Sequence, residues 1–481
     1  MSNFKKKTIN GVLWNLTERL GNQVIRFSLG IILARLLLPS DYGIIALTTV
    51  VIAFSEIMID GGLMMILIQR SNNTDQEYST VFWSKLFSAL LIFLLIFFSA
   101  KYIAQFYEVP ILEKVLRLIA LVLIINSLSS VHKIRLTNKL DFKGQAKIIL
   151  LSTLIGGATG IIMALLGFGV WALVFQTLTI NLIQAILFWC YTKWVPSINY
   201  SFEFIKSIYK NGLNFLSANI LLILYNNLYI TVIGKMYNPT TLGLYTRARQ
   251  FEQLPENTTN SVIVKVLFPI LTGNKNDKMA LKKNTLEVLS WLSFIITPIM
   301  LLLIINSKQI IEFFLTEKWL GAKDFLVILA VAGIFIPINN TLLNIFNVLG
   351  KPLISTKIYI FKILFSALLI FVVWKDGAIW TASIIIIENI IVLFILGLIT
   401  KNLIGLKIKT IIESIRFVFL VNGISFLIVY YISNYLTFIE LSNLLHMIIT
   451  FVSYCVLTYL LGSFFKLPQI SELNNQLKKR L

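Results

Sequence analysis
Histidine and cysteine are nearly missing from this chain, with two of each in 481 residues. His132 lies in a basic stretch and His446 near a predicted helix end, and each reads as a structural residue. Cys190 and Cys455 fall in apolar stretches with no CxxC spacing and no nearby His or carboxylate. Both are expected to be buried, reduced packing residues, so no disulfide, metal site or cofactor follows from them. Long polar loops are missing too. The longest segments expected outside, KYIAQFYEVPIL (101–112) and SKQIIEFFLTEKWLGA (307–322), hold no convincing acid–base pair. That argues against a membrane glycosyltransferase or polymerase, and the chain is expected not to be an enzyme.

Charge is the third scarcity. Asp, Glu, Lys and Arg make up 13% of the chain while 57% is hydrophobic, whereas about 25% charged residues is usual in soluble domains. Mean hydropathy is +0.83. No Asp, Glu, Lys or Arg occurs between Lys147 and Lys193, Lys210 and Lys235, Asp324 and Lys351, or Arg416 and Glu440. Runs of that length make lipid the solvent for most of the chain. The class is an all-α polytopic membrane protein.

Fourteen spans are expected, near 11–36, 42–68, 79–100, 113–131, 146–167, 169–192, 211–236, 242–271, 286–306, 323–349, 355–374, 377–400, 414–436 and 443–465. The net charge of +20 concentrates in alternate loops, as KKK (5–7), HKIRLTNKLDFKGQAK (132–147), Lys275, Lys278, Lys282, Lys283 and KKR (478–480). This bias puts both termini in the cytoplasm and assigns the surplus charge to topology and anionic lipid, not to nucleic acid. The first span carries charges inside its apolar region and lacks a small-x-small site, so it is expected to remain as a span, not to be cleaved as a signal.

An internal repeat is visible. ARLLLPSDYG (34–43) returns 200 residues later as GKMYNPTTLG (234–243), aligning Arg35 with Lys235, Pro39 with Pro239 and Gly43 with Gly243. Further along, Glu56 falls on Glu256 and Asp60 on Asn260, and GFGVWALV (167–174) is echoed by KDGAIWTAS (375–383). A duplication predicts two parallel six-helix lobes, 1–200 and 201–405, followed by two additional helices and a tail in 406–481. Repeat-built transporters place their site between such lobes.

Polar stripes interrupt the greasy helices. Asn15, Arg19, Asn22 and Arg26 follow an i, i+4, i+7, i+11 spacing and share one narrow helix face. Arg249, Gln253, Glu256 and Asn260 repeat that spacing, with Glu252 alongside, and Pro255 should loosen that helix. Glu56 and Asp60 stand four residues apart on the second span. An Arg at mid-bilayer costs about 2.5–3.5 kcal/mol on insertion scales, so these groups are expected to line a wet cavity. Guanidinium forks suit phosphate oxygens, and amides suit hydroxyls. Arg19, Arg26 and Arg249 would hold phosphate, and Asn15, Asn22 and Gln253 would contact sugar. Glu56, Asp60, Glu252 and Glu256 would balance charge or bind H⁺ or Na⁺. A buried ion pair that merely fixes helix register is the competing explanation. Lys85, Arg117, Lys265 and Lys362 stand singly and are expected to snorkel.

Several of these segments resemble one family. ARLLLPSDYGIIAL (34–47), GGLMMILIQR (61–70), TVFW (80–83), GFGVWALVFQ (167–176), NGLNFLSANILLILYNN (211–227) and IGKMYNPTTLGLYTRA (233–248) are similar to the Wzx-type polysaccharide flippases. The likeness is closest to the colanic-acid exporter-like branch of the multidrug/oligosaccharidyl-lipid/polysaccharide exporter superfamily. It runs to about residue 400 and weakens in the last two spans. The resemblance implies a V-shaped exporter fold in a bacterial inner membrane. It implies flipping of an undecaprenyl-pyrophosphate-linked oligosaccharide to the periplasmic leaflet by alternating access, for surface polysaccharide synthesis. Other polysaccharide assembly proteins are the implied partners. A drug or cation antiporter of the same superfamily is the alternative.

Overall fold
A computed structural model describes residues 2–70, 72–262, 268–273, 277–439 and 441–478 of the chain. Among these residues there is no strand. The first series of helices is α1 (Ser2–Leu36), α2 (Pro39–Asp60), α3 (Leu63–Gln69), α4 (Asp75–Tyr107), α5 (Ile111–Ile119), α6 (Leu121–Asn138), α7 (Phe142–Leu165) and α8 (Val170–Thr192). The second is α9 (Phe202–Met236), α10 (Pro239–Val262), α11 (Phe268–Gly273), α12 (Lys278–Ile305), α13 (Ser307–Leu315), α14 (Ala322–Val348), α15 (Pro352–Val373) and α16 (Ala378–Ile404). Then come α17 (Ile408–Phe438), α18 (Asn443–Phe464) and α19 (Pro468–Lys478).

The two series match element for element. α1 and α9 each run 35 residues, and α5 and α13 each run 9. Short helices α3 and α11 stand at the same place in each, and α2 and α10 both open on a proline, which suits a first helical turn. The sequence echo therefore marks a repeated structure.

Local chemistry sets the ends of these helices. Thr74 and Glu77 form a reciprocal cap on α4: Thr74 Oγ1 accepts from the Glu77 N–H at 3.2 Å, and Glu77 Oε2 accepts from the Thr74 N–H at 2.7 Å. α2 stops where Gly61 and Gly62 take left-handed φ of 50° and 85°. The expected span 42–68 is thus a helix plus the short α3. The expected span 113–131 is also divided, into α5 and α6 at Ala120. No glycine or proline announces that break. The uncharged run 148–192 does fold as two helices around the GFG turn, with Gly167 and Gly169 at positive φ.

Among the described residues ten helices, α2, α4, α7, α8, α12 and α14 to α18, are long and apolar enough to cross a bilayer. The other expected spans fall on α1, α5–α6, α9 and α10, which carry polar residues or are broken. Outward faces are greasy. On α15, Leu364, Leu368 and Phe371 stand 65–79% exposed at helical spacing, as acyl-chain contact requires. Cys190 and Cys455 are free and exposed, contrary to the expected burial. A thiol is apolar enough to face lipid without a partner.

By contacts the chain forms two compact units, 1–243 and 244–481. Unit 1 holds α1 to α9, with α9 packed on α2 and α4. Small residues bring its helices close. A Cβ on Gly156 would come within 2.3 Å of Ile180 on α8, and one on Gly157 within 2.3 Å of Leu29 on α1. In unit 2, α14 is the most enclosed span, surrounded by α12, α13, α15 and α16. α17 and α18 are joined to each other and to the α12–α13 junction by polar contacts. Tyr454 donates to Asn422 Oδ1 at 3.0 Å, and Thr450 donates to Asn306 Oδ1 at 2.8 Å.

Candidate functional site: charged ridges on apolar helices
The described predicted site residues fall into three groups. On α1, Arg26 donates from Nε to Asn22 Oδ1 at 3.2 Å, and the same oxygen accepts from Thr153 Oγ1 on α7 at 3.1 Å. Arg26 itself is exposed. The expected stripe is therefore tied to its own bundle through Asn22, leaving guanidinium donors for another acceptor. The side chains of Asn15 and Arg19 lie outside the described residues, as does that of Asn260.

On α2, Glu56 Oε1 accepts from Asn126 Nδ2 at 2.8 Å, and Asp60 Oδ1 accepts from Lys85 Nζ at 2.8 Å. The Lys85 side chain is 8% exposed. It does not snorkel; it crosses from α4 to neutralise Asp60. Both carboxylates border a cavity inside unit 1.

The third group lies in unit 2. Arg249, Glu252, Gln253 and Glu256 follow one another along α10, with Pro255 inside the helix. Glu252 is 3% exposed, and its Oε1 lies so close to α14 that a Cβ on Gly333 would stand 3.0 Å away. Glu252 and Glu256 stand one helical turn apart, with Arg249 as the nearby cation and the buried Tyr245 beside it. Tyr245 is held edge-on against Phe325 with ring centroids 5.7 Å apart. Arg247 is buried on α10 beside Trp319 and bonds Gln250.

Beside this row the sequence reading missed an ion pair. Lys362 Nζ on α15 stands 3.1 Å from Glu388 Oε1 on α16, and Ser366 Oγ donates to Glu388 Oε2 at 2.6 Å. The two charged residues are 5% and 0% exposed. Lys362 was expected to snorkel, and Glu388 was not considered. A signal existed: Glu388 is the single carboxylate in the apolar stretch IIIIENIIVLF. Arg117 pairs with Glu113 at 2.9 Å and covers Phe97, whereas Lys265 lies outside the described residues. Unit 2 thus gathers Arg249 and Lys362 with Glu252, Glu256 and Glu388. Such groups persist inside a membrane only when paired, wet or functional.

Solved structures share the fold of this repeated helix series, that of multi-pass membrane proteins with an exporter-type architecture. The lipid II flippase MurJ, in an inward closed conformation, superposes with a TM-score of 0.71 at 17% identity, covering 94% of this chain and 99% of that one. An inward-facing multidrug resistance MATE family transporter of the MOP superfamily gives 0.60 at 18% identity, covering 80% and 94%. The particular family follows from sequence: residues 32–324 match the polysaccharide biosynthesis protein family, and the chain belongs to it. The Bacillus subtilis teichuronic acid biosynthesis protein TuaB is 24% identical over 336 residues, 69% of this chain and 70% of its own. The Escherichia coli lipopolysaccharide biosynthesis protein WzxC is 22% identical over 364 residues, 74% of this chain and 73% of its own. The Wzx-type resemblance drawn from the turn motifs is borne out.

Proposed function
We propose that the protein flips a lipid-linked oligosaccharide across the bacterial inner membrane, from the cytoplasmic to the periplasmic leaflet, for surface polysaccharide synthesis. One observation carries the reading: in a chain of the polysaccharide biosynthesis family, arginines and carboxylates stand in rows on α1, α2 and α10, within a bundle of otherwise apolar helices. The halves of the repeat, 1–200 and 201–405, would rock about the substrate, with 406–481 as an appended pair of helices and tail. Arg19, Arg26 and Arg249 would take the pyrophosphate, and Asn15, Asn22 and Gln253 the adjoining hydroxyls. The polyprenyl tail would stay among the outward-facing apolar side chains.

The placement of Glu252 and Glu256 one turn apart on α10, with Glu252 buried, supports a coupling role. Two carboxylates one turn apart in a poorly hydrated place disfavour a double negative charge, so in one conformation they would share a proton. Releasing that proton in one conformation and taking it up in the other would tie transport to a proton gradient. Na⁺ in its place, with Glu56 and Asp60 as further ligands or counter-charges, is the alternative coupling ion.

The test is export in cells that depend on this protein for surface polysaccharide. Arg19→Ala with Arg26→Ala, or Arg249→Ala alone, should cut surface glycan at least tenfold at normal protein level. Lipid-linked precursor should then build up in the inner leaflet. Normal export from these variants would remove the arginines from the mechanism. A drug or cation antiporter is the second reading, favoured by the shared fold with the MATE structure. Dye efflux without an effect on glycan export would select it.

A further inference from the structure
Unit 1 contains a cavity of about 380 Å³ between α2, α4, α6 and α8. That volume is in the range of small-ligand sites, about 300–1,000 Å³. We propose that this cavity is a binding subsite for one uncharged sugar ring of the transported glycan. The proposal rests on the flippase reading for its ligand's origin, while the site itself follows from the lining.

The charges on the lining cancel. Glu56 and Asp60 face Lys85 and Lys133, two of each sign. Asp60 is already held by Lys85, and Glu56 by the Asn126 amide. A bare cation would meet two ammonium groups, and a phosphate would meet two carboxylates. A neutral polyol meets neither penalty.

The uncharged lining supplies what sugar hydroxyls need. Ser127, Ser129 and Ser130 donate their protons to backbone carbonyls of their own helix, at 2.7, 3.2 and 3.1 Å. Their oxygen lone pairs are left as acceptors. Asn181 spends one N–H on the Thr177 carbonyl at 2.8 Å and keeps its own carbonyl oxygen. The Gln184 amide and the Lys133 ammonium make no hydrogen bond or ion pair with a described residue, so both remain as donors. The second oxygens of Glu56 and Asp60 can each accept from a hydroxyl. Leu123, Ile59 and Phe188 form an apolar wall against which the C–H face of a pyranose can lie. Mixed acceptors, a few donors and one apolar wall describe a carbohydrate, whereas a drug-like aromatic cation would waste most of these groups.

The test uses the full-length protein in lipid nanodiscs free of glycoside detergents, whose head groups would compete. Saturation-transfer NMR is recorded with free glucose, galactose and N-acetylglucosamine, with inorganic pyrophosphate and NaCl as contrasts. At least one sugar should bind, and neither pyrophosphate nor Na⁺ should displace it. Gln184→Ala and Glu56→Gln should weaken that binding at least tenfold. Glu56→Gln keeps an oxygen for Asn126, so its fold is preserved. The matching lipid-linked glycan, reconstituted in the same discs, should displace the free sugar. No sugar binding, unaltered binding in both variants, displacement by pyrophosphate or Na⁺, or failure of the lipid-linked form to compete would each overturn the assignment. Sugar binding without glycan export in cells would instead sink the flippase reading and leave the pocket standing.

Discussion
At the scale of single residues, the most exacting contact is the Lys362–Glu388 pair, because removing one partner breaks a charge pair in a nearly waterless place. Such breaks cost about 3–5 kcal/mol, whereas replacing both partners by apolar groups is often close to neutral. Glu388→Ala should therefore lower the melting temperature of the purified protein sharply. Lys362→Leu combined with Glu388→Leu should recover most of the loss. A double variant as unstable as the single one would mean the pair does more than neutralise itself. His132 gives a pH prediction. It is fully buried on α6, with Nδ1 bonded to Thr192 Oγ1 at 2.6 Å and the Trp189 ring tilted against it at a centroid distance of 4.6 Å. Burial first, and Arg135 second, push its pKa down from 6.5 to about 4. The folded state thus keeps the ring neutral while an unfolded chain would protonate it near pH 6.5. Nothing is lost above that pH. Between pH 6.5 and 4 stability should fall by up to about 3 kcal/mol. Comparing wild type with His132→Gln across that window isolates this contribution, and parallel curves would refute it. The arginine and carboxylate rows were legible in the sequence because helical spacing is a local property. The partners of Lys85 and Lys362 were not, since each sits on another helix and hydropathy registers one residue at a time.

Between elements, the clearest geometry is a reciprocal crossing inside unit 1. A Cβ on Gly43 would fall 1.8 Å from the Pro239 carbonyl oxygen, and a Cβ on Gly243 would fall 1.8 Å from the Pro39 carbonyl oxygen. The two repeated turns thus press their backbones together about a local two-fold axis, each glycine admitting the other turn's proline. Of the six residues aligned by the echo of ARLLLPSDYG in GKMYNPTTLG, the two prolines and two glycines are the ones that meet. A methyl group at either glycine must push the helices apart, and overpacking of this kind typically costs about 1–3 kcal/mol. Gly43→Ala and Gly243→Ala should each lower thermal stability, by similar amounts, and the double variant should fall short of their sum because the first already opens the crossing. Strictly additive losses would show that the two contacts are independent. The turn at Pro39 was readable from the repeat, whereas the stop at Gly61 fell inside the expected span 42–68 despite its glycine pair. The break at Ala120 was not readable, for it lies in LIALVLII, where no residue type disfavours a continuous helix.

For the whole molecule, the repeat and the loop charges carry different information. The matched series α1–α8 and α9–α16 follows from the repeat, and the polytopic class follows from composition, so both were within reach of the sequence. The compact units were not: α9 belongs to the second series but packs on α2 and α4, and such an exchange depends on tertiary contacts that no local pattern encodes. Orientation rests on the charges alone. The α6–α7 and α16–α17 loops carry Lys139 and Lys407, whereas the α7–α8 turn carries no charge and the α15–α16 turn pairs Lys375 with Asp376 in sequence. Cationic loops are retained on the cytoplasmic side because moving them across the membrane is disfavoured. The prediction is made in a background with Cys190 and Cys455 replaced by Ser, since both native thiols are exposed. Phe168→Cys and Asp376→Cys should react with a membrane-impermeant maleimide in intact spheroplasts. Lys139→Cys and Lys407→Cys should react only after the membrane is opened. The reverse pattern would place both termini outside and turn the proposed direction of transport around. Labelling at all four positions in sealed spheroplasts would contradict the alternation of the spans, and with it the assignment of α7, α8, α15 and α16 as crossing helices.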